Sequence, residues 1–125
     1  MSSSSKQRWD ALKPLLRLEG SGSRDFLHGQ TSADLLAAET GSLLRCCWLT
    51  ATGRVRALLE IRLDERGADV IVLAGDHNAV ATGFEQVIFP ADQVRLRPSD
   101  PIRRLQIMTQ LKQEQTPEVI WLLPD

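Results

Sequence analysis

The sequence predicts an α+β domain in which an antiparallel sheet carries short helices on one face. Three observations carry that expectation. Residues 54–63 alternate at a period of two, with Val55, Ala57, Leu59, Ile61 and Leu63 on one side and Arg54, Arg56, Leu58, Glu60 and Arg62 on the other. Turn signals at Thr52-Gly53 and Asp64-Glu65-Arg66-Gly67 bracket this stretch and join it to apolar runs on either side, as in a meander. Ala79, Val80, Phe84, Val87 and Ile88 then fall on one stripe of a helix that Asp76 caps and Pro90 stops. A strand face and a helix stripe of this kind must cover one another, because neither buries its apolar side alone.

The remaining elements follow in order. Met1 to Lys6 is polar and reads as a floppy terminus, and Trp9 to Leu12 as one helical turn ending at Pro14. Leu15 to Glu19 is a strand, broken by Gly20-Ser21-Gly22, with Ser21 as a helix N-cap. Arg24 to His28 is a short helix stopped at Gly29, followed by the polar turn Gln30-Thr31-Ser32 and a second short helix near Asp34. Leu43 to Thr50 and Ala68 to Leu73 are the strands flanking the alternating one. After Pro90 comes a short strand, Gln93 to Arg97. Pro98-Ser99-Asp100-Pro101 is a linker, and Ile102 to Met108 and Val119 to Leu123 are strands separated by polar residues 110–118. The organisation expected is a flexible start over 1–14, an α+β region over 15–98, and a linker with the start of a truncated region over 99–125.

Composition bounds the function. A chain of 125 residues with 42% hydrophobic content supports one core, and with 5% aromatics and no tyrosine that core is built of Leu, Val, Ile and Ala. A formal net charge of −1 argues against DNA or broad nucleic-acid affinity, which needs a basic surplus. There is no apolar run long enough for a membrane helix and no apolar segment after Met1-Ser2-Ser3 for a secretory signal, so the expected compartment is the cytoplasm.

Few residues carry chemistry on their own. Cys46 and Cys47 are neighbours in a strand, so they point to opposite faces and cannot chelate one metal; one is expected in the core. Gly20-Ser21-Gly22 lacks the third glycine of a dinucleotide loop, since residue 25 is Asp. His28 and His77 have no second ligand or nucleophile at a telling spacing. Arg95, Arg97, Arg103 and Arg104 form a basic cluster, offset by Asp92 and Asp100, that reads as a solvated strand face, with an anion contact as the alternative. Gln30 and Asp34 read locally as residues that satisfy backbone groups in a loop. No catalytic constellation is visible, and whether the chain is an enzyme stays open.

The stretch Phe26-Leu27-His28-Gly29-Gln30-Thr31-Ser32-Ala33-Asp34 resembles a signature near the start of the YgfZ-type folate-binding proteins, relatives of the aminomethyltransferase (T-protein) of the glycine cleavage system. The resemblance continues through Leu15 to Gly20, through Cys46 to Arg54 with its glycine hairpin, and to Val94-Arg95-Leu96. It implies part of a folate-binding, aminomethyltransferase-like domain over residues 15–98, with tetrahydrofolate as cofactor and Gln30, Asp34 and Arg56 as cofactor-binding residues. The Lys-Gly-Cys-x-x-Gly-Gln-Glu motif of the family's second half is absent. The chain therefore reads as the N-terminal part of a longer protein, with the missing C-terminal half as its partner.

Transferase members carry an acidic pair a few residues past the hairpin glycine, where a carboxylate manages charge or a proton. Those positions are Ala57 and Leu58 here. The reading is a tetrahydrofolate-binding accessory protein that supports iron–sulfur enzymes and tRNA modification. A one-carbon transferase and a ligand-free interaction module are the alternatives. Self-association through Val119 to Leu123 is also expected.

Overall fold

A computed structural model describes the backbone of residues 6–109 and 118–122 and the side chains of 11–106 and 119–122. Among them are six strands and two α-helices: β1 (Lys6–Glu19), α1 (Ser23–Gln30), β2 (Leu43–Leu49), β3 (Val55–Leu63), β4 (Gly67–Ala74), α2 (His77–Val87), β5 (Arg95–Thr109) and β6 (Glu118–Leu122). The α+β class and the antiparallel pairing expected from the sequence are what the structure has. The chain divides into two units, Pro14–Ser99 and Met1–Lys13 with Asp100–Asp125.

In the unit Pro14–Ser99 the strand order is β2-β3-β4-β1, with every pairing antiparallel. Ala57 sits opposite Trp48, Leu59 opposite Cys46 and Val72, and Ile61 opposite Leu44 and Val70. These side chains share one face, and α1 and α2 close it with Leu27, Val80 and Phe84. Four of the five residues on the alternating apolar face are buried as expected; Val55 is 65% exposed. Asp76 caps α2 by accepting the Asn78 N–H at 3.0 Å.

The opposite face of the same sheet departs from expectation. With helices expected on one face only, Glu60 lies on the other, yet it is only 2% exposed, and Leu15, Asp69 and Ile71 beside it are buried too. Charges there are matched in pairs. Arg17 binds Asp64, Asp69 and Glu19; Arg62 lies 3.7 Å from Asp69, and Arg45 lies 3.7 Å from Glu60. The continuous apolar run of β4 was the available signal, since a strand buried on both faces loses its alternation.

Four local expectations are corrected. Residues 9–12 are not a helical turn but lie within β1. Ser21 is not the cap of α1: Gly22 occupies that position, and the Ser21 hydroxyl instead donates to the Gln93 side chain at 2.7 Å. No second helix follows Asp34; residues 32–42 are irregular. The Pro98–Pro101 linker lies inside β5, and both prolines are exposed in extended backbone, where a missing N–H is tolerated.

In the other unit β5 pairs with β6 from Arg103 opposite Leu122 to Ile107 opposite Glu118. Ile102, Leu105 and Trp121 are buried, whereas Ile120 and Leu122 are exposed. Residues 110–117, read as a polar connection, lie outside the described residues.

Candidate functional site

The β2–β3 hairpin builds the site. Gly53 turns it with φ of 86°, a left-handed value that a β-carbon disfavours. Thr50 locks the turn: its carbonyl accepts the Gly53 N–H at 2.9 Å and its hydroxyl accepts the Arg54 N–H at 3.0 Å. The register then slips. Trp48 faces Ala57 but Leu49 faces Val55, so Arg56 is an extra residue with no partner across the ladder. A bulge of this kind re-aims a side chain. Plain alternation put Arg56 on the face away from Ala57; instead its guanidinium lies 3.8 Å from the centre of the Trp48 ring.

Trp48 is a fixed plate. It is 2% exposed, its ring meets Phe84 edge-on at 5.4 Å, and Phe84 meets Phe26 at 5.5 Å. Gly83 of α2 lies against the indole so closely that a β-carbon there would come within 2.3 Å of the ring. The indole N–H is buried and has no acceptor among the described residues, a cost of roughly 1–3 kcal/mol carried by this cluster.

The end of α1 is tied to the same strand. Thr31 donates its N–H and its hydroxyl to the Leu27 carbonyl at 3.0 and 2.8 Å and bridges to Trp48. Ser32 exchanges two hydrogen bonds of 2.9 Å with the backbone of Cys47. Cys46 is buried beside Thr31, and burial pushes its thiol pKa up, which makes it an inert packing residue.

Between these elements lies a groove of about 540 Å³. Gly29, Gln30 and Thr31 line it from α1, Leu49, Thr50, Ala51 and Gly53 from the hairpin, Arg56 from the bulge and Val87 from α2. Gln30 and Arg56, two of the three residues singled out from the sequence, are thus brought together. Asp34 is not in the lining. Its carboxylate accepts the Ala37 N–H at 3.2 Å and lies 3.6 Å from Nδ1 of His28, which itself accepts the Leu35 N–H at 3.2 Å. Arg24, one helical turn before His28, donates to the Leu35, Ala38 and Thr40 oxygens. Asp34, His28 and Arg24 therefore hold the irregular chain after Ser32.

Among the described residues the groove's lining has one formal charge, the cation of Arg56, and no carboxylate. Ala57 is buried beside it, so no group at that position can move a proton. Among the described residues no cluster of metal-ligating side chains exists, and no helix is long and apolar enough to cross a membrane. Away from the groove, Arg17 and Asp64 neutralise one another: the guanidinium holds the Asp64 carboxyl down to about 2 and is itself raised by the pair. Sequence reasoning missed Trp48, Thr50 and Val87 as parts of the site. A tryptophan before a Thr-x-x-Gly turn was the available signal for Trp48; nothing in the sequence marks Val87.

No family model and no curated protein matches this sequence. Among solved structures, the glycine cleavage system aminomethyltransferase T from Bartonella henselae is similar, with a TM-score of 0.64 and 18% identity over 84% of this chain. The matched part is 28% of that protein, so this chain spans well under a third of its length. At that identity the likeness is one of fold: the chain has the architecture of part of an aminomethyltransferase T-like protein.

Proposed function

We propose that this chain contributes part of a reduced-folate binding site and carries out no aminomethyl transfer. The observation that supports it is the groove in which Gln30 and Arg56 meet apolar Leu49, Ala51 and Val87. A folate offers matching groups: a flat ring system with hydrogen-bond donors and acceptors, an apolar middle and an anionic tail. With no carboxylate among the described lining residues, the groove favours binding over chemistry. A role as an accessory to iron–sulfur enzymes, including those that modify tRNA, rests on the sequence resemblance, as does the C-terminal half as partner; the cytoplasmic setting rests on composition.

Calorimetric titration of the 125-residue chain with tetrahydrofolate tests the reading. A groove open on one side forfeits part of the ligand's apolar burial, at about 25 cal/mol per Å². The expected dissociation constant is therefore weak, about 0.1–1 mM. No saturable heat up to several times that concentration would overturn the reading.

A further inference from the structure

The groove is electrically lopsided, and the imbalance sorts the two ends of a ligand. Among the described residues Arg56 is the sole charged one in its lining. Arg17, Arg45 and Arg62 each pair with a carboxylate, whereas the contact of the Arg56 guanidinium among the described residues is the Trp48 ring at 3.8 Å. That contact occupies the guanidinium's flat face and leaves the in-plane N–H fork available, the geometry that grips a carboxylate with two parallel hydrogen bonds. Because Trp48 is itself locked by Phe84 and Gly83, the fork is held on a rigid support rather than waving on a free chain. Another wall comes from Gly29 and Gln30 at the C-terminal end of α1, where the helix dipole is negative and disfavours an anion.

We infer that the groove recognises the anionic N-acylglutamate end of its ligand, the α- or γ-carboxylate lying in the Arg56 fork and the aminobenzoyl ring along Leu49, Ala51 and Val87. The N–H-rich ring end is directed to the Gln30 side. This rests on the folate reading above and goes beyond it by assigning which end of the molecule this chain holds. The chemistry predicts that p-aminobenzoylglutamate, which has the tail without the pterin, is itself a ligand, and that a tetrahydropterin without the tail is not held by Arg56.

The test compares tetrahydrofolate, p-aminobenzoylglutamate and 6-methyltetrahydropterin on the 125-residue chain and on Arg56→Gln and Arg56→Lys, by calorimetry and by indole emission. Arg56 is exposed at a bulge, so both variants are expected to melt with the parent. The expected result is saturable binding of the first two ligands, weakened about tenfold by Arg56→Gln, and weakened by salt in the parent. Arg56→Lys, which keeps the charge and loses the fork, falls between. Tetrahydrofolate binding with equal affinity to parent and Arg56→Gln, with the tailless pterin competing and p-aminobenzoylglutamate silent, overturns the inference and leaves the folate reading standing. Absence of tetrahydrofolate binding to the parent, whatever p-aminobenzoylglutamate does, overturns both.

Discussion

The two ends of β3 obey different rules. From Ala57 to Leu63 the strand alternates, and each odd-numbered residue is buried under α1 and α2. At Val55 and Arg56, one turn of the pleat earlier, the alternation fails: Val55 is exposed and Arg56 is swung over Trp48. The pairing with β2 slips between Trp48 and Leu49, and the pairing with β4 slips between Leu58 and Leu59, where the regular stretch begins. Regular ladder couples a residue's position to its face, and a bulge releases that coupling. The regular end makes the fold, and the irregular end makes the groove.

The comparison predicts a steep gradient along one strand. Leu59→Asp places an unpaired carboxylate in the centre of the buried face, a cost comparable to the roughly 5–15 kcal/mol that holds a domain together. The variant is expected to lack a cooperative melt, which circular dichroism on heating reads directly; a melt near the parent's would show that the face is not a core.

Glu60, the next residue, separates the two-sided sheet from a one-sided one. Alternation alone gives Glu60→Ala a cost under about 0.5 kcal/mol, as at an open surface. Its burial and its position 3.7 Å from Arg45 give instead about 2 kcal/mol, because truncating a buried, charge-paired side chain leaves its polar partners unsatisfied. Urea denaturation distinguishes the two values.

Asp64 tests the paired charges on that same face by pH. Its carboxyl is lowered in the folded state by Arg17, so the pair contributes stability above its ordinary value of 3.8 and loses it as pH falls toward about 2. With the carboxylate 35% exposed, solvent screening reduces this to about 1 kcal/mol. Asp64→Ala should therefore flatten the acid side of the stability profile between those pH values. An unchanged slope would show that the Arg17 pair does not persist in solution.

The smallest effect is expected at the bulge. Val55→Thr changes an exposed side chain and should shift stability by less than about 0.5 kcal/mol, against about 1 or more for Leu63→Val at the regular end. Equal costs at the two positions would mean that the strand's ends are not distinct.

How much of this the sequence carried depends on whether the signal is local. The β3 face, the Asp76 cap and the Gly53 turn were legible because periodicity, capping and positive φ are properties of a few adjacent residues. The class of fold followed from them. The burial of Glu60 was not legible, because alternation says which residues share a face and not what lies over that face. The bulge was invisible for a related reason: Arg56 keeps the spacing of a regular strand, and the slip exists only in its pairing with β2. Gln30 and Arg56 were singled out through resemblance, and their meeting in one groove depends on contacts between α1, the hairpin and α2. Asp34 shows the converse, since the local reading of a loop residue that satisfies backbone groups describes its hydrogen bond to Ala37.

Mapping a ligand onto backbone amides tests the account at its centre. In a two-dimensional nitrogen–proton titration with tetrahydrofolate up to about millimolar concentration, shifts are expected at Gly29, Gln30 and Thr31 and across Leu49 to Arg56. The amides of Leu59 to Leu63, on the same strand but under the helices, should stay fixed. Shifts confined to the regular end of β3, or to residues remote from both the hairpin and the end of α1, would contradict the division of this strand into a folding end and a binding end.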